Sequence, residues 1–106
     1  MSAAVELLKK LPAAFNPDAA SGVDCTLQFN ISSPMNAVIK NGSCAVNAGS
    51  ASAPDVTITM EDDDLVALMK GELNGMTAFM TGKLQIEGDL MLAQRMSAFF
   101  DSARLS

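Results

Sequence analysis

The chain contains no histidine, no tryptophan and no tyrosine. Without histidine there is no Ser-His-Asp or Cys-His nucleophile pair, no imidazole base and no histidine-rich metal site. Cysteine is scarce too. Cys25 and Cys44 alone cannot make a four-ligand zinc site, and their spacing fits neither a CxxC redox pair nor a zinc motif. Both are expected to be small buried hydrophobes in a reducing compartment. Charged residues make up only 18% of the chain, and seven Lys+Arg against twelve Asp+Glu leave a net −5. That balance is wrong for tracking phosphates, so nucleic acid is not an expected partner. No apolar run approaches the roughly 18 residues of a membrane span. Near the N-terminus Lys9 and Lys10 follow the apolar residues, which do not form the continuous core of a signal peptide. The sequons Asn30-Ile31-Ser32 and Asn41-Gly42-Ser43 therefore carry no expectation of glycosylation, and the expected location is cytoplasmic.

What is present is apolar. Hydrophobic residues make up 49% of 106 positions and mean hydropathy is +0.24, which excludes disorder. The length suits one domain, 1–106, able to fold alone but with little stability to spare. Val5, Leu7, Leu8 and Leu11 predict a helix over 3–11, ended or kinked by Pro12. Asn16-Pro17-Asp18 reads as a turn or helix start, with Gly22 closing a short helical stretch. From Val23 to Ile31 apolar and polar residues alternate, the period of a strand with one wet face. Asn41-Gly42 predicts a type I′ hairpin between Ala37–Lys40 and Ser43–Ala48. The small, polar stretch from Asn47 to Pro54 reads as a loop, and Val56, Ile58 and Met60 as a fourth strand. The period changes at Glu61, where four acidic residues precede a helix with Leu65, Leu68, Met69 and Leu73 on its stripe. Asn74 caps a short helix closed by Gly82. Leu84 and Ile86 mark a fifth strand, and Asp89 caps a last helix bearing Leu92, Met96, Phe99, Phe100 and Ala103. The predicted class is α+β: a five-stranded, mostly antiparallel sheet with helices packed on one face.

Several motifs carry no chemistry. Glu61-Asp62-Asp63-Asp64 lacks the alternating spacing, turn glycine and distal glutamate of a calcium loop, and helix-start electrostatics account for it better. Gly71 and Gly75 have GxxxG spacing but lie outside any apolar 20-mer. Methionine is the unusual feature: eight in all, with Met69, Met76, Met80, Met91 and Met96 in the second half beside Phe79, Phe99 and Phe100. Core filling would account for some of them. An apolar cavity for flexible ligands would account for their crowding, because methionine adapts to irregular shapes.

From Asp55 onward the residues resemble the sterol carrier protein 2 domain. The likeness is carried by Asp55-Val-Thr-Ile-Thr-Met60, Leu65-Val-Ala-Leu-Met-Lys-Gly71, the run from Leu73 through Gly82-Lys-Leu-Gln-Ile-Glu-Gly-Asp89, and Leu90-Met-Leu-Ala-Gln-Arg-Met96. Upstream, Leu11-Pro12, Phe15 and the alternating strand fit more loosely. The resemblance implies a non-enzymatic carrier that encloses an apolar tunnel for fatty acid, acyl-CoA, phospholipid or sterol, with no cofactor. It places the tunnel between the sheet and the C-terminal helices. The expected walls are Leu65, Leu68 and Met69, then Met76, Phe79 and Met80, then Leu84 and Ile86, and finally Leu92, Met96 and Phe99. Gln94 occupies the position of a ligand-contacting glutamine found in some members. Eukaryotic members often end in a peroxisomal tripeptide; Ala103-Arg104-Leu105 resembles one, but Ser106 follows. The competing reading is an interaction or dimerisation module that presents the Met/Phe face to a partner. The helix over 3–11, with Lys9 and Lys10 against Glu6, is a candidate for transient contact with a membrane surface.

Overall fold

Two short helices open the chain where one was expected. The structure, a computed structural model describing residues 3–101, has α1 at Ala3–Leu8 and α2 at Leu11–Ala14. Pro12 does not end the first helix; it lies in the first turn of the second. A first-turn amide has no helical acceptor, so proline loses nothing there and its fixed φ suits the position. Ala4, Val5, Leu7 and Leu8 are buried, so the apolar face of α1 is spent on the core while Lys9 and Lys10 stay exposed. Residues 17–22 form turns in place of a short helix, ending at Gly22 with φ +76°.

The strands are β1 (Cys25–Asn30), β2 (Met35–Lys40), β3 (Ser43–Ala48), β4 (Val56–Thr59) and β5 (Gln85–Gly88), in the order β3-β2-β1-β4-β5. Neighbours are antiparallel except β1 and β4, which run parallel. Asn41 and Gly42 join β2 to β3 with φ of 53° and 75°, the left-handed pair that a type I′ turn requires. Leu27, Phe29, Ala37, Ile39, Val56 and Ile58 point to one face and are buried there under the helices.

The other face is not simply wet. To reach β4 from the β3 edge the chain crosses behind β2 and β1, and residues 49–55 lie over the polar side of the sheet. Gln28 Oε1 accepts from the Ala51 amide at 2.7 Å, and Asn36 Nδ2 donates to the Gly49 carbonyl at 3.2 Å. Gln28 and Asn36 are consequently buried polar residues. Their amides satisfy loop backbone that would otherwise lose its partners on leaving water.

Three further helices complete the chain: α3 (Asp62–Met69), α4 (Gly75–Met80) and α5 (Leu90–Phe99). Asp62 accepts from the Ser32 amide at 2.9 Å, so the acidic run ties α3 to the β1–β2 connection as well as starting a helix. Asn74 Oδ1 caps α4 by accepting from Thr77 at 3.1 Å, and Asp89 Oδ1 caps α5 by accepting from Leu92 at 3.0 Å. The two ends of the fold meet. Asn16 donates to the Phe99 carbonyl at 2.6 Å, Asp101 donates to the Ala14 carbonyl at 2.8 Å, and the Phe15 and Phe100 rings lie 5.9 Å apart. Ala103, and with it the tripeptide Ala103-Arg104-Leu105, lies outside the described residues. No helix among the described residues is long and apolar enough to cross a membrane.

Candidate functional site

The second half of the helical layer does not close over the sheet. Leu65, on the first full turn of α3, is fully buried and belongs to the core. One turn later Leu68 and Met69 face a cavity of about 570 Å³. Its floor is Ile58 of β4 with Ile86 of β5, which are direct register partners, together with Leu84. One wall is α3 and the following loop through Leu73. A second is α4 through Met76 and Phe79. The third is α5 through Leu90, Ala93, Gln94 and Met96, and Phe100 closes the far end. Gln94 is the sole polar side chain among these residues, and none carries charge. Such a lining suits an apolar ligand held by a single polar anchor.

Of the residues expected at the site, Leu68, Met69, Met76, Phe79, Leu84, Ile86, Gln94 and Met96 line the cavity. Leu65, Leu92 and Phe99 are instead buried in the core, and Met80 points out into solvent at 78% exposure. Ile58, Leu73, Leu90, Ala93 and Phe100 also line it and were not on the expected list. Two signals could have found most of them. Leu90, Ala93 and Gln94 have i, i+3, i+4 spacing, a second stripe on α5 beside the one read from Leu92, Met96 and Phe99. Ile58 follows from pairing β4 with β5, which places it next to Ile86. The cavity is open where α4 forms its rim, because α4 buries only Ala78.

The cysteines take no part. Cys25 and Cys44 both align with Ile39, on opposite sides of β2. Two strand spacings of about 4.8 Å separate them, beyond the Cα reach of a disulfide. Burial pushes both thiols up to about 11, helped at Cys25 by the charges of Asp55 and Asp24. At neutral pH they are protonated and unreactive.

Comparison with known proteins agrees with this geometry. Residues 5–101 match the SCP-2 sterol transfer family. Peroxisomal multifunctional enzyme A of Dictyostelium discoideum is 43% identical over 68 residues, and sterol carrier protein 2 of Bos taurus is 48% identical over 58. These alignments cover 63% and 55% of this chain, and the chain spans only 15% and 11% of those relatives. The solution structure of palmitated SCP2L2 from Aedes aegypti superposes with a TM-score of 0.73 at 27% identity, over 92% of this chain and 93% of that one.

Proposed function

We propose that this chain, which belongs to the SCP-2 sterol transfer family, binds single-chain lipids in the cavity under α4 and carries them without acting on them. The family is one of lipid-binding and transfer domains, generally non-enzymatic, although some relatives join such a domain to enzymes. The observation that carries the reading is an open, uncharged cavity of about 570 Å³ with one polar side chain, Gln94. The volume lies within the ~300–1,000 Å³ typical of ligand sites. Burying an acyl chain gains about 0.8 kcal/mol per methylene, so roughly sixteen carbons gain on the order of 12 kcal/mol. With so few polar partners, selectivity among headgroups is expected to be slight, and fatty acid, acyl-CoA, phospholipid and sterol all belong to the candidate class. A passage through the whole domain, as a tunnel, is part of the proposal.

A dimerisation module would present a filled core beneath its apolar face, and the empty space beneath α4 favours the carrier. Free thiols on separated strands support a reducing, cytoplasmic setting. The test is titration with a fluorescent fatty acid, then competition by palmitate and by a short-chain homologue. Saturable micromolar binding that palmitate displaces and the short homologue does not is expected. Absence of saturable binding removes the carrier reading. Native mass spectrometry of protein purified without detergent would then identify any retained lipid.

A further inference from the structure

We infer that the rim of the cavity is itself a membrane-docking surface, with α4 and the first turn of α5 entering the headgroup region of an uncharged bilayer. This rests on the carrier reading for its purpose but on separate residues for its contact. Every large apolar side chain exposed among the described residues lies on the two helices that form this rim: Met76, Phe79 and Met80 on α4, Leu90 and Met91 on α5. Met80 and Met91 are exposed at 78% and 71% and line no cavity, so ligand binding gives them no role. Elsewhere the same chain buries its apolar residues thoroughly, including those of α1. Five unburied side chains on two helices that wall one cavity mark a contact with something apolar.

Charge selects the occupant. Between Leu65 and Phe100, Lys70, Lys83 and Arg95 balance Glu72, Glu87 and Asp89, so the stretch that carries α4 and α5 is neutral and the chain's net −5 arises outside it. Helix α4 carries no charge, and exposed lysines, Lys70 and Lys83, flank it along the chain. A neutral apolar rim on an acidic protein meets a zwitterionic lipid surface with no like-charge penalty. The rim is also small. A six-residue helix is about 9 Å long, and with one added turn it falls short of the roughly 800 Å² per partner that a stable protein interface buries. Shallow insertion of a few side chains has no such requirement. Docking there would open the cavity directly onto acyl chains, so a lipid could move between bilayer and protein without crossing water.

The test uses the whole chain, vesicles of pure phosphatidylcholine, and the variant Met80→Asp with Met91→Asp. Flotation with vesicles measures docking without reference to any cargo. Fatty-acid titration in vesicle-free buffer measures binding without reference to docking. The variant is expected to partition at least tenfold less onto vesicles and to accept a fluorescent fatty acid from them at least tenfold more slowly. Its vesicle-free affinity should stay within twofold of the parent. Met80→Leu with Met91→Leu should restore partitioning, which separates loss of apolar contact from loss of fold. Equal partitioning of parent and Asp variant overturns the proposal. So does a parent dimer that the Asp variant splits with transfer unchanged, since the rim would then be a subunit contact. If the parent binds vesicles through these residues but takes up no fatty acid, docking stands and the carrier reading falls. The converse result removes docking alone.

Discussion

Two halves of one helical layer treat apolar side chains in opposite ways. Helices α1 and α2 bury Leu7, Leu8 and Leu11 in the same core as Leu27, Phe29 and Ile39 of β1 and β2, and nothing large stays exposed there. Over β4 and β5, helices α3 to α5 carry a similar density of Leu, Met and Phe but leave a cavity beneath and an exposed rim above. Composition therefore does not decide which half is core. Helix length and anchoring do. The first half is closed by short helices, α1 packed beside α3 and α2 beside β3. In the second, α4 lies between glycine turns at Gly71 and Gly82, with φ of +80° and +81°, and buries only Ala78. One half stabilises the fold and the other half is kept empty.

The contrast is broken most severely by cutting into the filled half. Phe29→Ala should cost about 3–5 kcal/mol in urea unfolding, because the packed surroundings cannot collapse on the void. Phe79→Ala, on the rim, should cost less than about 1 kcal/mol in the same experiment while weakening fatty-acid binding. If the two losses are similar, the halves do not differ as described.

Next in size is Met96→Asp, which places an unpaired carboxylate on a buried wall of the cavity. Desolvation of that group should reduce fatty-acid affinity about a hundredfold, or ~2.7 kcal/mol. Circular dichroism must show the fold intact, and unchanged affinity in a folded variant would move the binding site elsewhere.

Asp89→Ala removes the cap of α5, the wall that spans both regimes, and should lower stability by about 1 kcal/mol. Lys9→Glu with Lys10→Glu tests the filled half as a membrane contact. With the apolar face of α1 buried, any effect is electrostatic. Slower transfer from anionic vesicles is expected, fading as salt approaches about 0.1 M, where the screening length is roughly 10 Å. Transfer from anionic vesicles that is equal to the parent's at low salt would leave α1 as packing alone.

The last effect concerns the thiols and is confined to alkaline pH. Both have folded pKa values raised to about 11 from 9.0. The protonated form is favoured by folding, so this contribution is intact below about 9 and is lost as pH rises through 11. Stability should thus decline between these limits, and thiol alkylation at pH 8 should be slow in the folded protein.

Much of this architecture was legible because it rests on local rules. The alternation from Val23 to Ile31, the Asn41-Gly42 turn, and the caps at Asn74 and Asp89 each follow from residues near one another in the chain. What was not legible depends on distant partners. Gln28 and Asn36 look like wet-face residues until a loop from beyond β3 covers them. Helical periodicity put Leu65 with Leu68, and Phe99 with Met96, on shared stripes. It could not say that one member of each pair faces the core and the other a void, since both are apolar environments. Met80, one turn from Met76, shares its stripe yet faces solvent.

The loose seating of α4 sets what kind of container the cavity is. Its neighbour α5 is pinned at its start by the Asp89 amide on the Asp55 carbonyl at 3.0 Å and at its end by the Asn16 amide on the Phe99 carbonyl at 2.6 Å. Of helix α4 only Ala78 is buried. A vessel with stiff walls all round works as a ruler and prefers one chain length. A vessel with one compliant wall works as a bag. Longer acyl chains should push α4 outward at little cost, so affinity across a homologous series should rise to a plateau and stay there instead of peaking at one length.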